Sequence, residues 1–253
     1  MTISRAQLAK ELEPGLNALF GLEYDRYEDE AAEIFESEGS DRAFEEEVML
    51  SGFGTAPVKS EGSAINFDDA QETYTARYTM ETIALAFSIT EEAVEDNLYD
   101  RLAARYTRAL ARSMAQTKQI KGATVLNNAF STASPIGDGA ALCSAAHPSL
   151  SGNQNNLLAT PADLNETSLE DILIQVAGFT DERGLKIAVR GTKLLIPKEL
   201  QFIAERIINS NLRPGTADND INAMKSMGML PEGAVVNHFF TDADAYFVKT
   251  DCP

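Results

Sequence analysis

Apolar residues recur every three or four positions between residues 90 and 130, at Val94, Leu98, Leu102, Tyr106, Leu110, Met114, Thr117 and Ile120, with no proline in the stretch. That spacing predicts one long amphipathic helix with a narrow apolar face. Thr90 stands where a cap is needed. Glu91, Glu92, Glu95, Asp96 and Asp100 fill the first turns, and Arg101, Arg105, Arg108, Arg112, Lys118 and Lys121 the later ones. This order of charge complements the helix dipole. Thirty to forty residues at about 1.5 Å each reach roughly 45–60 Å, so such a helix needs a flat or extended body to lie along. Gly122 leaves two readings open, a continuous helix and a break followed by a second helix. A free coiled coil is disfavoured, because strict heptads are not sustained.

Weaker patterns flank this helix. Ser4 and Gln7 form a capping-box pair, and Leu8, Leu12, Leu16 and Leu19 or Phe20 follow at helical spacing, interrupted at Pro14. Residues 23–47 are dominated by Asp and Glu, with Tyr24, Tyr27, Ile34, Phe35 and Phe44 spaced through them like anchors. That composition describes an arm docked on another surface. Residues 48–80 read as a β-hairpin whose broad tip is punctuated by Gly52, Gly54, Pro57 and Gly62. Its return strand alternates Tyr74, Ala76, Tyr78 and Met80 with Thr73, Thr75, Arg77 and Thr79. From Ile83 the apolar side moves to odd positions, Ile83, Leu85, Phe87 and Ile89, which predicts a bulge or turn near Glu81 and Thr82 and a strand running on beside the helix. A two-stranded ribbon is marginal alone in water, so a projecting one predicts a neighbouring surface beneath it.

After the helix, residues 131–165 are polar and rich in Gly, Ser and Asn, and read as loops and short strands. Thr167 and Glu170 form a second capping-box pair, opening a helix with Leu169, Ile172, Leu173 and Val176 on its face and Gly178 or Gly184 at its end. Residues 193–196 form a short buried strand stopped at Pro197. Residues 198–210 place Leu200, Ile203, Ile207 and Ile208 on one side of another helix. A loop, 211–233, then leads to strands at 234–240 and 245–249. Alternating helices and strands of this kind build a compact α+β lobe distinct from the hairpin and arm.

Composition narrows the functions. The chain has 253 residues, 44% of them hydrophobic, enough for one or two globular domains. Its 21 basic and 39 acidic residues give a net charge of −18, which repels phosphate backbones and argues against a dedicated nucleic-acid binder. No run of eighteen apolar residues occurs and the N-terminus lacks the apolar stretch of a signal peptide, so the expectation is a soluble protein made in a cytoplasm. Cys143 and Cys252 are far apart without metal spacing and read as free thiols. His147, before Pro148 in a loop, and His238, in an apolar strand, read as structural. Asp218, Asp220 and Asn222 match the start of a calcium loop, but Ala223 stands where glycine is needed and Met229 where a glutamate is, leaving a polar turn. Asp242 and Asp244 read as a turn between strands. No phosphate loop, nucleophile elbow or zinc-protease motif is present. No catalytic, cofactor-binding or metal residue is therefore assigned.

The stretches ALCSAAHPSL, TSLEDILIQVAGFTDERGLKIAVRGTKLLIPKELQFIAERII and RPGTADNDINAMKSMGMLPEGAVVNHFFTDADAYFVKTD resemble the major capsid proteins of tailed bacteriophages, the Mu-like major head subunit group with the HK97 fold. The order of parts is similar too. The resemblance implies an α+β fold with an N-terminal arm (1–47), an E-loop hairpin (48–80), a P-domain (81–165) carrying a spine helix at 90–130, and an A-domain lobe (166–253). It implies self-assembly into hexamers and pentamers of an icosahedral shell enclosing double-stranded DNA, built in the host bacterial cytoplasm and ending in the virion capsid. The implied partners are copies of the chain, a portal, scaffold or decoration proteins, and DNA held non-specifically on the inner face, without a membrane or a cofactor. Some shells of this fold cross-link a hairpin lysine to a neighbour's asparagine; Lys59 stands at the hairpin tip, where a solvent-exposed lysine is the simpler reading. Family members continue past the YFVKTD-like strand, which implies a native product longer than 253 residues. The rivals are an encapsulin-like compartment shell and, from another class, a small-molecule enzyme with a ligand pocket.

Overall fold

A computed structural model describes residues 9–88, 90, 99–213 and 220–252. The capping pair Ser4 and Gln7 with Leu8, the capping role of Thr90, the helix positions Glu91, Glu92, Val94, Glu95, Asp96 and Leu98, Ile89, and Asp218 lie outside these residues. The chain forms two compact units, one from Met1–Ser37 with Glu81–Gly122 and the other from Glu38–Met80 with Ala123–Pro253.

In the first unit, α1 (Ala9–Tyr24) runs through Pro14, where the sequence pattern placed an interruption. The long helix, α2 (Tyr99–Asn127), spans 29 residues and about 44 Å. It is continuous through Gly122 and ends three residues short of the expected 130. Of the two readings at Gly122 the break is overturned, because the glycine serves close approach: a Cβ there would lie 2.8 Å from that of Ala31. The buried face of α2 also differs from the expected one. Ala103, Thr107, Ala111, Ala115 and Gln119, every fourth residue, are buried, whereas Tyr106 and Ile120 are half exposed. Small side chains let a neighbouring backbone come near, and hydrophobicity alone does not mark that face. The strand expected through Ile83, Leu85 and Phe87 is absent among the described residues; 81–88 is irregular and these side chains are exposed. Phe87 leaves the ladder to face Tyr106, with ring centroids 5.9 Å apart.

Residues 29–35 are clamped to this helix. The Gln119 side chain accepts from the Ala31 amide at 2.9 Å and donates to Asp29 at 2.8 Å, and Lys118 donates to the other Asp29 oxygen. Burial opposes ionisation of Asp29, but the Lys118 and Gln119 hydrogen bonds and the lysine charge outweigh it and hold the carboxyl below its ordinary value.

In the second unit a three-stranded sheet has the order β4-β3-β5, from β3 (Gly191–Pro197), β4 (Ala234–Asn237) and β5 (Phe247–Thr250). β3 pairs parallel to β4 and antiparallel to β5. Both edge strands are shorter than expected: β4 stops before His238, which stands exposed in the following turn instead of inside a strand. The even face of β3, Leu194 and Ile196, packs against Leu169 and Leu173 of α3 (Glu166–Ala177) and Ala204, Ile207 and Ile208 of α4 (Gln201–Asn209). Ile203, expected on the core side, lies at the surface, and Ala204 takes its place. The α3 cap is Asn165 with Ser168, two residues before the expected pair: the Ser168 amide donates to Asn165 at 2.9 Å and the Asn165 amide to Ser168 at 3.0 Å.

The region 211–233, expected as a loop, contains a short helix, α5 (Ala223–Met227). Asn222 caps it. Its side-chain oxygen accepts from the Met224 amide and its amide donates to the Ile207 carbonyl at 2.6 Å and to Ser210 at 3.0 Å, all at 1% exposure. Every polar atom that a cation would need from Asn222 is thereby engaged, and the calcium-like pattern is a helix cap. Asp220 remains at the surface.

Gly191 sits where a Cβ would come within 2.6 Å of Leu173 and 2.9 Å of Val248. Gly191→Ala is expected to lower unfolding stability by about 1–3 kcal/mol, as overpacking does; urea denaturation measures it, with Gly39→Ala, which meets nothing within 4 Å, as the near-neutral control. For Asp29, carbon-detected NMR is expected to show a titration midpoint below 3.8 that rises in Lys118→Met. Because the folded value is depressed, the clamp's contribution is present above the ordinary carboxylate value and is lost as pH falls through the lower, folded one. A midpoint unchanged by Lys118→Met contradicts the clamp.

Candidate functional site

The second unit also carries a ribbon of two antiparallel strands, β1 (Phe44–Leu50) and β2 (Glu72–Thr79), with Phe44 opposite Thr79 and Val48 opposite Thr75. The first strand starts four residues before the expected hairpin boundary, and the register shift falls at Val48/Leu50 in β1 instead of near Glu81. Tyr74 and Ala76, on the even face, press against Gly137, where a Cβ would lie 2.9 Å from that of Ala76. Beyond that seat the ribbon is bare. Phe44, Val48, Met49, Leu50, Tyr78 and Met80 are all more than 40% exposed. Arg77 lies over the Phe44 ring at 4.5 Å and pairs with Glu46 across the strands.

Residues 51–71 form the loop between these strands. Ser51, buried, closes its base: its amide donates to the Gln71 carbonyl at 2.8 Å and its hydroxyl accepts from the Gln71 amide at 2.9 Å. Asp68 braces it a second time, accepting from the Gly54 amide at 2.7 Å and from Arg183. The Gly54 amide and then the Arg183 guanidinium hold the Asp68 carboxyl below its ordinary value. This brace was not legible in the sequence, since Asp68 and Arg183 are 115 positions apart. Within the braced loop Phe53 is 61% exposed, Ile65 69%, Phe67 96% and Val58 100%. Lys59, at the tip, is exposed and forms no ion pair among the described residues, which do not bury it as isopeptide chemistry requires.

An apolar groove of about 560 Å³ opens elsewhere in the same unit, lined by Phe130, Leu157, Leu158, Ile172, Val176 and Phe247, with Asp242 and Asp244 on its border. Phe247 stacks on Phe130 at 5.8 Å and meets Phe240 edge-on at 6.0 Å. Cys143 lies in the wall, and burial pushes its thiol up to about 11. Asp242 accepts from the Asp244 amide at 3.0 Å, which makes the expected turn and leaves both carboxylates exposed.

His147 pairs through Nδ1 with Asp138 at 2.6 Å, while Asp138 also accepts from the Ala140 amide, and the His147 backbone pairs with Gln154. This ties neighbouring loops together; Nε2 is enclosed and has no hydrogen-bond partner among the described residues. No cluster of three His, Cys, Asp or Glu that could hold a metal occurs among the described residues, and none of their helices is long and apolar enough to cross a membrane.

On the exposed side of α2, Arg105, Arg108 and Arg112 share one face and have no ion pair among the described residues. Lys118 and Lys121, which the sequence grouped with them, are neutralised by Asp29 and Glu81.

The ribbon and the groove are the apolar surfaces this unit leaves exposed among the described residues. No curated protein matches the sequence. Solved structures share the fold, among them a chain of the bacteriophage JBD30 capsid, which at TM-score 0.60 and 12% identity covers 80% of this chain and 88% of its own length. A chain of the JBD30 capsid decorated with minor capsid protein trimers matches at TM-score 0.57 and 12% identity, covering 80% of this chain and 87% of its own. Residues 73–251 match the family described as phage capsid protein, and on that match the chain belongs to the phage capsid protein family.

Proposed function

We propose that the chain is the major building block of a phage head, assembling with copies of itself into hexamers and pentamers of an icosahedral shell around double-stranded DNA. The observation that carries this reading is the ribbon: a two-stranded element braced at its base by Asp68 and Arg183, yet presenting Phe53, Val58, Ile65 and Phe67 to water. Burying four such side chains is worth about 1.5–3 kcal/mol each before the losses of association are set against it. A monomer leaves that gain unused. In a shell every copy both supplies such a limb and offers a surface for one.

The family match favours a phage shell over an encapsulin-like compartment. The ribbon corresponds to the E-loop that the sequence resemblance implies, α2 to the spine helix of the wall and the β4-β3-β5 lobe to the A-domain. Assembly in a host bacterial cytoplasm, incorporation into the virion, and contacts with a portal and with scaffold or decoration proteins belong to the same reading. Its net charge of −18 suits a wall that does not grip DNA along its length. Arg105, Arg108 and Arg112 supply the local counter-charge for a non-specific phosphate contact on the inner face.

Negative-stain microscopy of the purified protein is expected to show shells, tubes or hexameric rings; uniformly small particles at high concentration would overturn the reading. Replacing Arg105, Arg108 and Arg112 together with Gln is expected to leave empty-shell formation intact while lowering the DNA content of particles made during infection, measured by absorbance ratio and buoyant density. Unchanged DNA content would remove these residues from the inner-face role.

A further inference from the structure

We infer that the tip of the ribbon loop, Pro57–Val58–Lys59, seats in the apolar groove of a second copy of this chain, with Lys59 meeting Asp242 and Asp244. The inference rests on the shell reading above and names the contact that reading leaves open. Three features of the molecule select this pairing. First, Val58 is wholly exposed in its own chain, on a loop whose base is fixed by Ser51, Gln71, Asp68 and Arg183. Second, the groove between Phe130, Leu157, Leu158, Ile172 and Phe247 is apolar along its walls, and at about 560 Å³ it has room for a small apolar turn.

Third, charge chooses the end of the loop that enters. Phe53 and Phe67 stand near the base, where the Asp68 carboxylate is already satisfied by the Gly54 amide and the Arg183 guanidinium, so the base brings no unpaired charge to the groove. Lys59 lies next to Val58 and has no ion pair among the described residues, while the exposed carboxylates of Asp242 and Asp244 border the groove and lack a cation there too. Seating Val58 would bring the unpaired lysine to the unpaired acids. Such a contact places unlike surfaces together, tip on one copy and groove on the next. It therefore propagates from copy to copy around a ring or across a lattice instead of closing as a symmetric dimer.

The test is site-directed cross-linking in assembled material. Val58→Cys and Ala245→Cys are combined in a Cys143→Ala, Cys252→Ser background, assembled, treated with a short bismaleimide and run on a denaturing gel. A ladder of covalent oligomers in the double-cysteine protein, and a monomer band in each single-cysteine protein, is the expected result. Particles that form normally but yield only monomer overturn the tip-in-groove contact and leave the shell reading standing. A wild-type chain that never assembles overturns the shell reading and this one with it. Charge reversal gives an independent measure. Lys59→Glu is expected to raise the concentration needed for assembly at least threefold, and Asp242→Lys with Asp244→Lys in the same chain to bring it back towards wild type. Failure of that rescue in a folded protein, checked by circular dichroism, contradicts the pairing.

Discussion

A ribbon of two strands has no inside. Each strand of β1 and β2 has one hydrogen-bonded neighbour, and apart from the seat of Tyr74 and Ala76 on Gly137 and the Thr73–Glu182 hydrogen bond, the described residues offer neither face a cover. Apolar side chains placed there are in water unless another molecule arrives. The sequence nevertheless puts Phe44, Val48, Met49, Leu50 and Tyr78 on the strands and four more apolar residues in the loop. The loop is also held by its own brace. The Asp68 carboxylate, bonded to the Gly54 amide and the Arg183 guanidinium, fixes the direction in which the apolar tip leaves the body. A fixed direction lowers the ordering entropy that association must overcome.

The lobe solves the opposite problem. The residues of β3 alternate between two buried faces, and Leu194 and Ile196 are fully enclosed by α3 and α4. Gly191 has no room for a methyl group, and Asn222 is consumed in capping α5 and satisfying the end of α4. Among the described residues the core between β3, α3 and α4 is closed. The groove around Phe130 and Phe247 is already formed in the same unit, while the ribbon remains unsatisfied. That division of labour, a self-sufficient lobe and a dependent limb in one unit, is the physical content of a subunit that builds a shell.

Much of the lobe was legible because its signals are strong and local. The run 193–196, stopped at Pro197, is too short for a helix and reads as a buried strand, and apolar spacing after it marks α4. Less was legible where the decisive property was size or partnership. The packed face of α2 is lined by alanines, which carry little hydrophobic signal but allow close approach, so the larger Tyr106 and Ile120 pointed to the wrong face. Alternation at Ile83, Leu85 and Phe87 imitated a strand for which no partner exists among the described residues. Asn222 read as part of a polar turn with a calcium-like spacing, and the turn proves to be a helix cap, because a cap and a ligand use the same oxygen. The groove drew no notice, since Phe130, Leu157, Ile172 and Phe247 come together only through the fold.

The dependence of the ribbon on a second copy is tested most directly by hydrogen–deuterium exchange of residues 44–80, compared between dissociated subunits and assembled particles. If the limb is sheltered only by sister copies, its amides exchange quickly in the free subunit and become protected on assembly, while those of β3 are protected in both states. Equal exchange of 44–80 in the two states would contradict the central claim.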